Sequence, residues 1–280
     1  MSNDALSVDG ASCHIYRDAP SWDGLQTAAI GRFRCSEASA GAALLELAAS
    51  KLAGERFGAI IGPMDGDTWH SYRVVTETDG SPPFLMEPTS GEHDKPAFEA
   101  AGFAPISRYV STRTSLASIA GDAAAAGPDD VAISVWDGKD AHKFLSAMFD
   151  LSGASFDRNA FFKPIDRADF LALYEPMLPR LDPRLVFFAH DKDGLAGFLF
   201  GMPNLLEGAG AKAAILKTYA SRKRGVGHQL ANAFHRTARE LGFADVIHAL
   251  MHESNISLER SSRHHTRIFR RYALMGRRLA

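Results

Sequence analysis

Cysteine is nearly absent. Cys13 and Cys35 are the only two in 280 residues, too few for a disulfide framework and without the clustered spacing of a zinc site. Both are expected to be reduced thiols inside a cell. No segment supplies the ~18 uninterrupted apolar residues of a membrane-spanning helix. The start, Met1-Ser2-Asn3-Asp4-Ala5, has no basic region followed by an apolar run. Neither a membrane span nor an export signal is expected, which points to the cytoplasm. An excess of one charge is missing too. A formal net charge of -2 and a pI of about 6.6 remove the long-range pull toward polyanions, so nucleic acid is not an expected partner. No metal is expected either: His264 and His265 are adjacent, diverge by ~100° on a helix and lack a third ligand.

The composition that is present, 46% hydrophobic and 23% charged, is ordinary for a folded chain, and the length suits two domains of common size. Between Ser115 and Asp130 the residues Ala, Gly, Ser and Asp run together and end in Gly127-Pro128-Asp129-Asp130, just before the apolar Val131 to Trp136. This places a first lobe at 1–115, a linker at 116–130 and a second lobe at 131–280. Leu116 to Ala126 is Ala-rich enough to form a short helix instead. The fold class expected is α/β, with a mostly antiparallel mixed sheet flanked by helices in each lobe.

In the second lobe, Ala141 to Leu151 and Arg167 to Leu178 carry apolar residues at helical spacing, with Asp166 at an N-cap position. Leu185 to His190 and Leu195 to Gly201 read as a hairpin around Asp191-Lys192-Asp193-Gly194. A third strand, Ala213 to Tyr219, meets a basic Gly-containing turn and then an amphipathic helix from Val226 to Leu241, with Gly242 placed as its C′ glycine. Ala244 to Met251 gives a further strand. A helical stretch and a last strand around Ile268 to Leu274 follow.

The turn between the third strand and the helix reads Arg222-Lys223-Arg224-Gly225-Val226-Gly227-His228-Gln229-Leu230. Glycines let a backbone approach a ligand closely, and the first amides of a helix point outward with the positive end of its dipole behind them. That combination binds a phosphate or pyrophosphate. A dinucleotide fingerprint needs a third small residue where Leu230 stands, and a P-loop needs Gly-Lys-Ser/Thr, which is absent.

Arg222, Gly225 and Gly227 in this setting resemble the acyl-CoA pyrophosphate loop of the GNAT superfamily of N-acyltransferases, and the order of elements from Val131 to Ala280 is similar to that of the superfamily. The resemblance implies acetyl-CoA as acyl donor, with the amides of Lys223 to His228, Val226 included, cradling the pyrophosphate, and basic side chains of the turn reaching its oxygens. It also implies that the motif strand splays from the next, so that Lys217, Thr218 and Tyr219 offer backbone groups to the pantetheine arm. Asn255 resembles an asparagine often placed against the cofactor; a plain turn or N-cap role is the alternative.

The halves also align on the helix after the turn. Gly41 precedes Leu44 as Gly227 precedes Leu230, whereas Arg222 and Gly225 are matched by Ser36 and Ser39, which removes the basic contact and puts a side chain in the turn. Ala97 to Phe103 resembles the superfamily's closing helix and Gly-Phe turn, with Phe98 at the usual tyrosine. The first lobe is short before Gln26, where a complete copy needs two helices and a hairpin. It reads as a truncated, non-catalytic copy in a tandem arrangement.

Acyl transfer to an amine needs a base for the ammonium proton and an acid for the leaving thiolate. Glu253 or His252, at a strand end, is the candidate base, and Glu253 is expected to be an isolated carboxylate in a partly dry cleft. The superfamily's customary tyrosine falls on Ser262, leaving Tyr272 or His265 as candidate acid. Arg263, Arg267, Arg270, Arg271, Arg277 and Arg278 are expected on a solvated face, with binding of the nucleotide 3′-phosphate, RNA or an acidic partner as the alternatives. The function expected is transfer of an acetyl group to a primary amine of a small molecule or aminoacyl compound by direct attack. The alternative is a non-catalytic acyl-CoA-binding or protein-interaction module. Self-association into a homodimer is left open.

Overall fold

Alternating burial builds the N-terminal hairpin. In β2 (Ala11–Tyr16), Ala11, Cys13 and Ile15 turn inward while Ser12 faces solvent. β1 (Asp4–Val8) pairs antiparallel with it across a turn in which Gly10 takes φ +75°. The first lobe therefore has its hairpin, contrary to the expectation of a copy truncated before Gln26. The two preceding helices have no counterpart among the described residues. The computed structural model describes residues 4–119, 128–157, 159–255, 258 and 266–279.

β3 (Thr27–Cys35) runs antiparallel to β2 and leads into α1 (Ala38–Gly54), which returns to β4 (Ala59–Gly62), parallel to β3. β5 (Val74–Thr78), α2 (Asp94–Ala100) and the long β6 (Ala104–Ser115) complete the first lobe. The second opens with β7 (Ala132–Val135), α3 (Ala141–Phe156) and α4 (Arg167–Tyr174), the last capped by the Asp166 carboxylate, which accepts from the Asp169 amide. The hairpin β8 (Val186–Asp191) and β9 (Gly194–Pro203) is followed by β10 (Ala213–Ser221), α5 (Val226–Glu240), β11 (Asp245–His252) and β12 (Arg267–Arg278). Phe187, Leu199, Leu230 and Phe234 bury α5 against one face of the sheet, and Phe144, Phe170, Phe198 and Ile215 bury α3 and α4 against the other. Among the described residues no helix is long and apolar enough to cross a membrane.

Among the described residues all twelve strands form one sheet, in the order β1-β2-β3-β4-β12-β6-β11-β10-β9-β8-β7 with β5 also on β12. The order shows an exchange. β12, from the second lobe, pairs with β4 and β5 of the first on one edge and with β6 on the other, and β6 in turn pairs with β11. A single offset along the chain relates the parallel pairs, Thr27 with Ala59 and Ala213 with Asp245, and also relates Gly41 to Gly227. The β6–β12 register is symmetric about its middle, Arg267 facing Arg113 as Gly276 faces Ala104, and the directly paired Tyr109 and Tyr272 lie at its centre. A pseudo-twofold axis thus crosses the sheet between these two tyrosines.

The arginines of β12 correct the expectation of a solvated basic face in part: Arg267 and Arg278 are exposed and Arg270 is buried, and all five described arginines are ion-paired. Arg267 pairs with Asp79, Arg270 with Glu87, Arg271 with Glu77 and Glu253, Arg277 with Glu46, and Arg278 with Asp23. All but Glu253 of these carboxylates belong to the first lobe, so the charge of the last strand faces its exchanged neighbours. Arg263 lies outside the described residues. Pairs of this kind contribute little singly at an exposed surface, and the buried Arg270–Glu87 contact is the exception, since loss of either partner strands the other.

The exchange makes a prediction about fragments. Residues 131–280 alone leave both edges of β12 and one edge of β11 unpaired, so the fragment is expected to be insoluble or to unfold without cooperativity, and co-expression of 1–119 is expected to restore a soluble complex. Solubility and thermal unfolding check this; a cooperatively folded, monomeric 131–280 fragment would contradict it.

Candidate functional site

β10 ends at Ser221 and α5 begins at Val226, leaving four residues to turn the chain. Gly225 caps the helix at φ +91°, a backbone region that glycine enters without strain. Val226 and Leu230 are fully buried, and a side chain at Gly197 would collide with Val226, so the helix start is fixed against β9. The amides of Arg224, Gly225 and Gly227 make no backbone hydrogen bond among the described residues. They are donors for an anion at the positive end of a four-turn helix. Not all of the basic side chains stand ready: Arg222 Nη2 lies 2.7 Å from Asp191 Oδ1, and Lys223 Nζ lies 2.6 Å from Asp130 Oδ2. Arg224 is exposed and His228 half-buried beside the turn.

Below the turn the two central parallel strands separate. β10 and β11 pair from Ala213 with Asp245 to Leu216 with His248 and no further. β10 bulges against β9 between Leu216 and Thr218, and β11 bulges against β6 between His248 and Met251. Leu250, at φ +58°, turns its amide away to Ser111 Oγ at 3.1 Å. Lys217, Thr218 and Tyr219 therefore border an opening whose other side is Ala249 to His252.

The matching place in the first lobe is closed. Met64, at the position of Leu250, donates its amide to Ile30 O at 2.8 Å, and the Arg32 amide, at the position of Thr218, donates to Asp65 Oδ1 at 2.7 Å. A side chain at Gly31, the counterpart of Lys217, would meet Met64 O at 2.5 Å. The turn is also shorter. β3 ends at Cys35 and α1 begins at Ala38, so Ser39 lies in the helix rather than in the turn where the sequence alignment placed it, and the Ser36 amide is taken by Gly10 O at 2.8 Å.

Residues from both lobes meet at the opening. The Arg73 guanidinium is sandwiched 3.8 Å from the ring centres of both Tyr72 and Tyr109, with Nη1 at 3.5 Å from Leu250 O. Burial draws Arg73 down to about 10, which leaves it cationic at neutral pH. Lys217 places Nζ 3.4 Å from Met86 O, and burial, then the Arg73 charge, bring it down to about 7. Glu87 accepts from Tyr272 Oη and the Phe84 amide and meets Arg270, and burial holds its carboxyl above the ordinary range.

The candidate catalytic residues are engaged differently from one another. Glu253 is not isolated: its Oε1 is 2.9 Å from Arg271 Nη1, and its amide bonds to Arg108 O. His252 stacks edge-on against Tyr109, and the Ser254 amide donates to its Nδ1 at 3.1 Å, which sets the ring proton on Nε2. Burial and the Arg73 charge lower its pKa. Tyr272 is buried, donates a hydrogen bond from its hydroxyl to Glu87 and sits 3.1 Å from Ser111 Oγ; burial and then Glu87 raise its pKa. Asn255 is exposed in the turn after β11. Ser262, His264 and His265 lie outside the described residues. Sequence reasoning missed Arg73, Glu87 and Tyr109, all from the lobe read as non-catalytic. No local motif marks them, because they converge through the strand exchange.

No family model matches the chain, and no curated protein matches it in sequence. Solved structures match its fold. A GCN5-related N-acetyltransferase from Sphaerobacter thermophilus superposes with a TM-score of 0.55 at 14% identity, covering 96% of this chain and 77% of that one. A tandem GNAT protein from the clavulanic acid biosynthesis pathway gives 0.54 at 13% identity, covering 97% and 79%. A GCN5-related N-acetyltransferase from Anabaena variabilis gives 0.55 at 9% identity, covering 96% and 60%. The fold is that of tandem GNAT proteins.

Lys217 carries a prediction for stability. Its folded-state value near 7 lies below the ordinary 10.5, so between these limits the unfolded chain binds more protons, and stability rises with pH across that window. Lys217→Met removes the term. Its melting temperature is expected to exceed that of the parent below pH 7, with the difference shrinking toward pH 10.5. A pH-independent difference in thermal melts would contradict this reading of the cleft.

Proposed function

We propose that the chain is an acyl-CoA-dependent N-acyltransferase that moves an acetyl group from acetyl-CoA to a primary amine of a small molecule or aminoacyl compound, with its one working site in the second lobe. The observation that carries this is the one-sided opening. The parallel strands separate beneath a Gly225 turn with unpaired amides in the second lobe, while the equivalent gap in the first is filled by Met64 and Asp65.

In this reading the amides of Arg224, Gly225 and Gly227 hold the pyrophosphate, and Arg222 and Lys223 exchange Asp191 and Asp130 for its oxygens. The pantetheine arm lies along Lys217 to Tyr219. The first lobe supplies an internal guide to the thioester: Asp65 Oδ1 sits on the Arg32 amide, and the corresponding Thr218 amide is the donor for the thioester carbonyl, which gathers negative charge as the amine attacks. Lys217, neutral for part of the time near pH 7, takes the ammonium proton. His252, with its proton on Nε2, is a donor rather than a base. Glu253, tied to Arg271, leaves that role open.

Isothermal titration with acetyl-CoA tests the donor site. Gly225→Val puts a β-branched residue at φ +91° and is expected to weaken binding by ~10²-fold or more, whereas Ser39→Ala is expected to leave it unchanged. Equal effects would overturn the assignment to one lobe. Thiol release over an amine panel tests the chemistry. Lys217→Met is expected to lower kcat by ~10²-fold and to remove the pH dependence near 7, while Glu253→Gln stays within ~3-fold. The engagement of Glu253 and Tyr272 in other contacts favours one second reading, a non-catalytic acyl-CoA-binding module. Binding without turnover on any amine would establish that reading instead.

A further inference from the structure

Among the described residues Arg73 is a cation without an anion. Only 7% of the residue is exposed, and among the described residues its Nε has no hydrogen-bond partner and no carboxylate forms an ion pair with it. Glu87, a carboxylate of the same cleft, is already committed to Tyr272, Arg270 and the Phe84 amide. The faces of Tyr72 and Tyr109 offset only part of the desolvation of the guanidinium, since such contacts return less than burial of an unpaired charge costs. The backbone is also held away from its preferred regions, at φ +89°, by the Arg73 amide donating to Pro63 O at 2.9 Å. The fold thus maintains a strained residue whose charge is left unanswered.

Its position says what would answer it. Arg73 Nη1 touches Leu250 O, on the side of the opening where β11 has turned away from β10. Its Nε edge is a planar fork of the kind that meets a carboxylate with two parallel hydrogen bonds. We propose that Arg73 is the specificity-determining anchor for a carboxylate on the acceptor, so that the substrate class is amines that also carry a carboxylate, amino acids foremost. The proposal rests on the acyltransferase reading for its term acceptor, and it gives the first lobe a direct part in substrate recognition. A carboxylate matches the single charge available, because Lys217 shares its proton with solvent near neutral pH whereas a phosphate dianion would need both cations.

The test titrates the intact chain with matched pairs, each common amino acid against its own carboxamide, without and with acetyl-CoA, and then measures acetylation of the same pairs. At least one amino acid is expected to bind and to react with kcat/KM ~10²-fold above its carboxamide. Arg73→Gln is expected to reduce that preference to a few-fold while acetyl-CoA affinity changes by less than ~3-fold. Arg73→Lys, which keeps the charge and loses the fork, is expected to lose at least ~10-fold of the preference, and it decides the matter if the Gln variant fails to fold. No amino acid preferred over its carboxamide, a preference that survives both substitutions, or an aminoalkyl phosphate preferred over every amino acid overturns the proposal. Failure of acetyl-CoA to bind, with an Arg73-dependent carboxylate preference still present in the titrations, would instead overturn the acyltransferase reading and leave the anion site standing.

Discussion

The pairing of β6 with β12 is the constraint from which the rest of the molecule follows. Each of these long strands is contributed to the other lobe's half of the sheet, and Tyr109 faces Tyr272 at the pseudo-twofold between them. Because main-chain hydrogen bonds of a sheet interior have no substitute once formed in a dry core, neither lobe can be moved without breaking a ladder. The same pairing carries Ser111 to the Leu250 amide, Tyr272 to Glu87, and Tyr109 to both Arg73 and His252. Tyr109, Ser111, Lys217 and Tyr272 are thereby held by regular secondary structure, the more rigid way to fix side chains for recognition, and the loops that carry Arg73 and Glu87 pack against them.

Pseudo-symmetry makes the difference between the lobes readable residue by residue. Where the first lobe has Gly31, Arg32, Met64 and Asp65 closing on one another, the second has Lys217, Thr218, Leu250 and Met251 standing apart. Each lobe thus serves as the other's control: the same hairpin, strand, helix and strand in both, with one gap satisfied by its own chain and the other left open. The closed lobe has kept its core, with Leu44, Leu45 and Phe98 fully buried, and its loops have been turned toward the neighbouring cleft. Closure of that gap and a contribution to the neighbouring cleft go together there, since the loop that carries Asp65 into the gap continues to Tyr72 and Arg73.

Much of the second lobe was legible because its signals are local. The period of Val226 to Leu241, the turn at Asp191 to Gly194 and the glycine at 225 each depend on residues a few positions apart, and the alignment of Gly41 with Gly227 fell on the offset that the strand pairings share. The exchange was not legible, since β6 and β12 carry apolar patterns that fit either neighbour and nothing local selects the partner. The ion pairs of Arg267, Arg270, Arg271, Arg277 and Arg278 were hidden for the same reason: their first-lobe carboxylates lie far away in sequence. Glu253 looked isolated because the sequence does not reveal that Arg271 lies across from it. The convergence of Arg73, Glu87 and Lys217 is tertiary throughout, so the reading that dismissed the first lobe as non-catalytic could not see its contribution to the cleft.

The central claim is that an acyl-CoA arm enters the gap between β10 and β11 and that no such arm enters between β3 and β4. Amide hydrogen exchange on the whole chain, with and without saturating acetyl-CoA, tests it most directly. The account predicts slowed exchange confined to the amides of residues 218–219 and 224–227, with those of 32–41 and 62–65 unchanged. Protection at both sets, or at the first-lobe set alone, would contradict it.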